Sequence, residues 1–273
     1  MTAELPPLSQ VIREHGLGAR KQLGQHFLLD GNLTGRIARA AGPLEGVNVI
    51  EVGPGPGGLT RALLATGARA VFAVEKDSRC MAALAELGVH YPGRLHVIEA
   101  DATETDMTAL CAAPRAIVAN LPYNVSTVLL LQWLETAAAF TRMVLMFQKE
   151  VADRLAAAPG SKSYGRLSVA AQWRCKVKPL FNVSRQAFTP PPKVASTVVE
   201  LVPRAEPLAP ADPAALELVT RTAFGQRRKM LRASLKPLGL DPAAAGLSPD
   251  ARAEDVPVEG FCALARLHKD GRA

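Results

Sequence analysis

The sequence predicts an α/β protein: a doubly wound, mostly parallel β-sheet with an antiparallel edge, followed by a small helical domain. Short apolar runs alternate with segments whose apolar residues have helical spacing, which is the pattern of βαβ units. Two later strand-like segments are joined without a helix, and a Pro- and Ala-rich linker then leads to a helical tail. The 273 residues suffice for a main domain at 1–203 and a smaller one at 204–273.

The first half of the chain carries the predicted parallel sheet. Runs rich in Val, Ile and Ala predict five strands: Val47–Val52, Ala70–Glu75, Arg94–Glu99, Arg115–Asn120 and Arg142–Gln148. Helical spacing predicts intervening helices at Gly57–Ala65, Ser78–Gly88 and Val125–Ala138. In such folds ligands bind at the carboxyl ends of the strands, so residues just after each run are the first candidates for a site.

The second half predicts the edge of the sheet and the tail. A helix is expected at Glu150–Ala158, and antiparallel strands are expected at Trp173–Phe181 and Ser196–Val202. After the linker at 203–213, helical patterns occur at Ala214–Phe224, Arg227–Lys236 and Glu259–His268.

Composition and charge favour an anionic partner. The net charge is +7, and residues 154–199 and 221–236 contain eight and six basic residues with no acidic one. A solvated face is the alternative for either run alone, but two acid-free runs favour a polyanion. There is no apolar stretch long enough for a membrane span and no signal sequence, so we expect a cytoplasmic protein. The four cysteines lie far apart without a C-x-x-C pair, so no metal site is expected.

A glycine-rich loop follows the first strand. Glu51 leads into Val-Gly-Pro-Gly-Pro-Gly-Gly, in which Gly53, Gly55 and Gly58 satisfy G-x-G-x-x-G. Glycines there allow a sharp turn and a close approach of the backbone to a ligand. Taken alone, the loop fits a dinucleotide site or a structural turn.

Two acidic residues reduce the number of ligand classes that fit this loop. Glu75 ends the second strand, where it can accept both hydroxyls of a ribose, and Asp101 follows the third strand. A dinucleotide would leave Asp101 without an obvious role. An adenosine that lacks phosphates could place its ribose at Glu75 and its exocyclic amine at Asp101, and S-adenosylmethionine is such a ligand. A helix N-cap is the alternative for Asp101 and a poorer one for Glu75.

The fourth strand ends in Asn120-Leu121-Pro122-Tyr123, the most specific motif in the chain. The exocyclic amine of adenine is a poor nucleophile, because its lone pair is delocalised into the ring. The Asn120 side-chain oxygen and the Leu121 carbonyl can each accept an N–H of this amine and hold it in line with a methyl donor. Pro122 fixes the loop, and Tyr123 offers a ring on which the base can stack. A strand-ending turn with a core tyrosine is the alternative.

Together these motifs resemble the ribosomal RNA adenine dimethyltransferases, specifically those of the bacterial small subunit. The resemblance extends over about residues 9–268 and includes Gln22-Leu-Gly-Gln-His-Phe-Leu28, the glycine loop, Asn120–Tyr123, Phe188-Thr-Pro-Pro-Pro-Lys-Val194 and Ala223-Phe-Gly-Gln-Arg-Arg-Lys-Met-Leu231. It implies transfer of two methyl groups from S-adenosylmethionine to N6 of each of two adjacent adenines in a hairpin loop near the 3′ end of small-subunit (16S) rRNA. It also implies a role in late subunit assembly.

The resemblance also implies site residues. S-adenosylmethionine would contact His26, Leu28, Gly53, Glu75, Asp101 and Asn120 within domain 1–203. The family usually has Asn where this chain has His26, so we expect a pH dependence of cofactor affinity near neutrality. Phe188 is expected to pack on the target adenine opposite Tyr123, the alternative being a structural plug. Arg227, Arg228, Lys229 and Arg232, on one predicted helix of the RNA-binding domain 204–273, are expected to contact phosphates.

Three other functions compete with this one. The resemblance extends to resistance methyltransferases that act on large-subunit RNA and to methyltransferase-like mitochondrial transcription factors. A non-catalytic RNA-binding assembly factor would not need the intact Asn120–Tyr123 motif. A nicotinamide-dependent oxidoreductase would need catalytic residues that we do not find. The small ribosomal subunit and its rRNA are the expected partners, and a monomer is the default.

Overall fold

A seven-stranded mixed sheet forms the centre of the structure, as the sequence predicts. The computed structural model describes residues 5–20, 22, 24–226 and 228–271. Its strands are β1 (Phe27–Leu28), β2 (Asn48–Val52), β3 (Ala70–Glu75), β4 (Leu95–Glu99), β5 (Arg115–Asn120), β6 (Met143–Gln148), β7 (Cys175–Val183), β8 (Phe188–Thr189) and β9 (Ser196–Pro203). The order in the large sheet is β4-β3-β2-β5-β6-β9-β7.

Ten α-helices complete the described fold. They are α1 (Leu8–Glu14), α2 (Gly31–Ala40), α3 (Gly58–Leu64), α4 (Met81–Val89), α5 (Ser126–Glu135), α6 (Lys149–Leu155), α7 (Arg166–Arg174), α8 (Pro213–Gly225), α9 (Leu231–Ser234) and α10 (Val258–Lys269). The crossovers α3, α4 and α5 confirm the predicted βαβ alternation.

Strand β2 is an interior strand of the sheet, and all five of its residues are buried. It pairs in parallel with β3 on one side and β5 on the other. Every β2 residue is buried, including the acid Glu51. β5 pairs in parallel with β6, and β6 pairs antiparallel with β9. This order makes β2, β3 and β5 neighbours, so their carboxyl ends meet at one edge.

The region before β2 has more structure than the sequence indicates. Helix α2 is capped at its N-terminus by Asp30, whose side chain accepts a hydrogen bond from the Asn32 backbone N–H. Strand β1 pairs antiparallel with β8, with Leu28 opposite Phe188. Both α1 and β1 are too short to produce a periodic pattern of their own. The β1–β8 pairing brings the segment around His26 to the sheet edge.

The described chain divides into two compact units. One contains the described residues up to 152 together with 178–203, and the other contains 153–177 together with the described residues from 204 onward. The chain passes from the first unit to the second at 203/204, which is the expected domain boundary. Residues 153–177, however, belong to the second unit. Tyr164 and Trp173 explain this difference, since both are buried in the hydrophobic cluster that also contains Phe261 of α10. The expected strand at 173–181 correspondingly begins only at Cys175, after helix α7.

The predicted helix at 227–236 is wrong. Helix α8 ends at Gly225, and Arg227 lies outside the described residues. Met230 has extended backbone angles (φ −65°, ψ 153°) and forms an antiparallel bridge with Arg252. The helix is therefore confined to the four residues of α9. No helix in the described part of the chain is long and apolar enough to cross a membrane.

Candidate functional site

A cleft opens at the carboxyl ends of β2, β3, β4 and β5. All the residues that the sequence assigns to the cofactor and to catalysis line it: His26, Leu28, Gly53, Glu75, Asp101, Asn120, Leu121, Pro122 and Tyr123. Phe188 and the basic residues Arg228, Lys229 and Arg232 do not line it. The structure therefore assembles one site from segments that are far apart in sequence.

The glycine loop between β2 and α3 is packed too closely for side chains. A Cβ on Gly58 would lie 2.6 Å from the carbonyl oxygen of Leu28, and a Cβ on Gly55 would lie 3.0 Å from the Phe27 ring. Gly55 has a positive φ of 55°, and its N–H donates to Glu75 Oε2 at 2.9 Å. The glycines thus allow the backbone to close against β1 and to present the loop at the cleft.

Glu75 is held by backbone groups at the end of β3. Its carboxylate accepts the N–H of Gly55 at Oε2 and that of Asp77 at Oε1, at 2.9 and 2.8 Å. Only 7% of the residue is exposed. Burial raises its pKa, while the two backbone donors lower it. Each oxygen keeps one further lone pair, so the carboxylate can accept two more hydrogen bonds from a ligand.

Asp101 is an ionised acceptor at the more open side of the cleft. Lys76 Nζ lies 2.6 Å from Oδ2, while the Thr103 N–H and hydroxyl donate to Oδ1. The bond from Lys76, followed by those from Thr103, lowers the pKa of Asp101 to about 2. The turn-capping alternative is therefore also realised, in addition to the place that Asp101 has in the cleft.

Asn120 ends β5 with its amide orientation fixed. Its Nδ2 donates to the main-chain oxygen of His26 at 3.3 Å, which leaves Oδ1 available as an acceptor. The next residue, Leu121, is 2% exposed, and its carbonyl accepts no hydrogen bond from the described residues. A Cβ on Gly53 would lie 3.4 Å from Pro122 Cδ, so the proline fits against the glycine loop. Two carbonyl-type acceptors thus follow each other at the strand end.

Tyr123 is fixed at its hydroxyl and on one ring face. Its hydroxyl lies 2.5 Å from Ser196 Oγ, and the imidazole of His26 stacks on the ring at 5.6 Å between centroids. Burial raises the pKa of the phenol, so it is neutral at physiological pH. The ring is only half-buried and lines the cleft.

Phe188 is not available to a base in this structure. It is 2% exposed and belongs to the main hydrophobic cluster. Pairing of β8 with β1 turns its side chain inward, where its ring meets the His26 ring edge-on at 6.4 Å between centroids. The structural alternative describes Phe188 better than the expected contact with the adenine.

The basic residues expected on one helix are arranged differently. Arg228 and Lys229 are exposed in a turn before α9, and Arg232 on α9 forms an ion pair with Asp250. The i, i+4 relationship of Arg228 and Arg232 is lost, because the extended Met230 separates them. Arg228 and Lys229 remain accessible to phosphates.

Glu51 is a cleft residue to which sequence reasoning gave no role. It is 1% exposed, and its Oε2 has no hydrogen-bond partner within the described part of the chain. Burial, reinforced by the Glu75 carboxylate, raises its pKa to about 8, so the group is protonated at neutral pH. An acid flanked by Ile50 and Val52, just before the glycine loop, is the signal in the sequence.

A second group of unassigned residues holds the segment before β1. Asp77 accepts a hydrogen bond from Gln25 Nε2 at 2.9 Å. It also accepts two from Arg79, at 2.9 and 2.6 Å, which lower its pKa. Arg79 in addition donates to the Gly18 carbonyl at 3.2 Å. These hydrogen bonds tie Gln25 and Gly18, which precede β1, to the residues that directly follow β3.

The cleft fits a nucleoside with a polar tail. Glu75 and Asp101 supply acceptors at separate places, and the glycine loop leaves room for a ligand against the backbone. The unpartnered Oε2 of Glu51 is a buried polar atom that a polar ligand can satisfy. These features match S-adenosylmethionine, whose ribose, adenine amine and amino-acid group need such partners.

Comparisons with known proteins agree with this geometry. Residues 16–270 match the family model described as ribosomal RNA adenine dimethylase. The curated "Ribosomal RNA small subunit methyltransferase A" of Paramagnetospirillum magneticum is 66% identical over 97% of this chain and 95% of its own. The protein of the same name from Rhodospirillum rubrum is 65% identical over 96% and 92%.

Two solved structures extend the similarity. A dimethyladenosine transferase from Plasmodium falciparum has a TM-score of 0.78 and 27% identity, covering 90% of this chain and 98% of its own. The 23S rRNA methyltransferase ErmE has a TM-score of 0.67 and 27% identity, covering 89% and 99%. With nearly the whole sequence matched and the Asn120–Tyr123 motif open to the nucleoside cleft, the chain belongs to the ribosomal RNA adenine dimethylase family.

Proposed function

We propose that this chain methylates N6 of two adjacent adenines in the 3′-terminal hairpin loop of small-subunit (16S) rRNA, giving N6,N6-dimethyladenosine. S-adenosylmethionine, the cofactor, supplies the electrophilic methyl group. The observation that carries the proposal is the position of Asn120–Tyr123, which opens into the same cleft as Glu75 and Asp101. The relatives named as small-subunit methyltransferases support this choice of RNA.

The cofactor would be held by residues at the ends of four strands and by β1. Glu75 would accept the ribose hydroxyls with its two remaining lone pairs, and Asp101 would accept the adenine amine. Gly53 allows the backbone to approach the ligand, while His26 and Leu28 border the cleft from the segment around β1. Asn120 borders the place where cofactor and target base meet.

The catalytic work would be done by orientation. The Asn120 Oδ1 and the Leu121 carbonyl would accept the two N–H bonds of the target amine, drawing its lone pair out of conjugation. Because the attacking amine is neutral, no base has to remove a proton before the attack. The hydrogen bond from Asn120 Nδ2 to the His26 carbonyl keeps Oδ1 facing the substrate side. Pro122 would hold the two acceptors in register, and Tyr123 would stack on the base.

Double methylation further constrains the clamp, by which we mean the two acceptors Asn120 Oδ1 and the Leu121 carbonyl. After the first transfer the amine keeps one N–H, so it can use only one of the two acceptors. The site then has to accommodate the first methyl group next to the unused acceptor. The half-exposed position of Tyr123 leaves the base side of the cleft open for this change.

RNA binding outside the site would rest on phosphate contacts. Arg228 and Lys229 are exposed, and Arg232 can exchange its surface pair with Asp250 for a phosphate. Arg227, which lies outside the described residues, belongs to the same basic stretch of sequence. We further propose that the protein acts as a cytoplasmic monomer during late assembly of the small subunit, without a metal ion.

Small subunits isolated from cells that lack the modification provide the test. The enzyme is incubated with labelled S-adenosylmethionine, and the modified nucleosides are identified and mapped. We expect dimethyladenosine at the two adjacent loop positions. Transfer only to large-subunit RNA would overturn the substrate, and tight binding without transfer would support the assembly-factor alternative.

A further inference from the structure

The most informative unassigned contact is that of the His26 ring with Tyr123. The two ring centroids are 5.6 Å apart, and the rings are inclined by 30°. A base inserted between two rings needs about 7 Å, twice the usual contact distance. The adenine therefore cannot lie between His26 and Tyr123, and His26 occupies one face of the tyrosine.

The His26 ring is anchored by the loop after β8. Its Nδ1 lies 2.7 Å from the Pro190 carbonyl oxygen, which can only accept, so Nδ1 carries a proton. Phe188 contacts the ring edge-on. Within the described residues, Nε2 has no hydrogen-bond partner and no carboxylate forms an ion pair with the ring; the titratable group that packs on it is the neutral Tyr123 phenol.

Tyr123 is thereby restrained at two points. His26 covers one ring face, and Ser196 holds the hydroxyl at 2.5 Å. A restrained ring loses less conformational freedom when a base stacks on it, so it binds the base more tightly. The opposite face is the one left for the target adenine.

We propose that His26 is a positioning residue for the target adenine, acting by stacking on the far face of Tyr123. The resemblance assigns this position to the cofactor, whereas the side-chain contacts place it beside the residues of the base. An asparagine, which is usual here in the family, has no ring to stack. This inference rests on the proposed function, because it requires the adenine to bind on Tyr123.

The test compares His26→Asn, His26→Phe, Tyr123→Ala and the double variant His26→Asn/Tyr123→Ala. His26→Phe keeps a ring, and His26→Asn keeps a polar group without one. We expect His26→Asn to lower kcat/KM for small subunits about threefold to tenfold, the range of an aromatic pair. His26→Phe should restore kcat/KM to within about twofold of wild type. In the Tyr123→Ala background, His26→Asn should add no further loss.

Calorimetric affinity for S-adenosylhomocysteine separates this role from cofactor binding. We expect all His26 variants to bind it within about twofold of wild type and to melt at similar temperatures. A tenfold weaker affinity in His26→Asn, an additive double variant, or failure of phenylalanine to restore kcat/KM would each overturn the inference. Failure of the proposed function would be distinguishable, because the wild-type enzyme itself would then show no transfer to small subunits.

Discussion

Replacing Asn120 by alanine removes one of the two acceptors assigned to the target amine. The remaining acceptor, the Leu121 carbonyl, cannot by itself hold both N–H bonds. Loss of one preorganised polar group from a reacting centre commonly costs a factor of about 10²–10³ in kcat. We therefore expect kcat for small-subunit methylation to fall by that factor.

The Asn120→Ala substitution should affect the free energy of unfolding much less than it affects the activation free energy of methylation. In the described structure Asn120 makes one side-chain hydrogen bond, to the His26 carbonyl at 3.3 Å, which is at the long end of the usual range. Such a bond contributes about 0.5–1 kcal/mol, and its loss lowers Tm by only about 1–4 °C. A fall of a hundredfold in kcat with a small change in Tm would separate catalysis from folding.

The assay measures three quantities on the same preparations. These are single-turnover methylation of small subunits, equilibrium binding of those subunits, and the melting temperature. Asn32→Ala, an exposed asparagine in α2 away from the cleft, is the matched control and should behave as wild type. Subunit affinity of Asn120→Ala should stay within about threefold, because phosphate contacts dominate it. An equal loss of affinity and rate would refute the clamp.

Three further predictions concern the cofactor side of the cleft. Asp101→Ala should weaken binding of S-adenosylhomocysteine by about tenfold in calorimetry. Because the pKa of Asp101 is about 2, its contribution to affinity should be constant from pH 5 to 8, and a titration in that range attributable to Asp101 would contradict the assignment. Gly58→Ala places a Cβ 2.6 Å from the Leu28 carbonyl and should cost about 1–3 kcal/mol in denaturant unfolding, whereas Gly31→Ala, with open space around its Cβ, should change stability little. The pKa of Glu51 is raised from 4.5 to about 8, so the folded state binds an extra proton between these values, and stability should fall as pH rises through that window. Glu51→Gln should remove this fall, and identical slopes for both proteins in denaturant unfolding at pH 5 to 8 would show that the acid is not neutral when folded.

The sheet and most of the cleft could be predicted because their signals are local. A buried parallel strand produces a continuous apolar run, and residues just after such runs must meet at one edge. Glu75, Asp101 and Asn120 were placed in the site by this reasoning alone, and all three line the cleft.

Elements defined by tertiary contacts escaped prediction. The two-residue strands β1 and β8 exist only as partners of each other, so neither has a pattern in the sequence. Their pairing is what buries Phe188 and brings His26 to Tyr123. The predicted helix at 227–236 failed for a similar reason, because the bridge from Met230 to Arg252 overrides the local preference of a basic, helix-favouring stretch.

The acceptor geometry at Asn120 depends on residues remote from it in sequence. The His26 carbonyl orients the Asn120 amide, and the His26 ring contacts Tyr123 at the end of the same motif. His26 is itself held by Pro190, while its neighbour Gln25 is held by Asp77, whose backbone N–H donates to the Glu75 carboxylate. The Asn120 acceptor is therefore positioned by a segment that also lines the cleft, so its orientation and the shape of the cleft depend on the same residues. It follows that substitutions at His26 should be judged on base positioning, with cofactor affinity as the control, since the His26 main chain orients Asn120 and the ring contacts Tyr123.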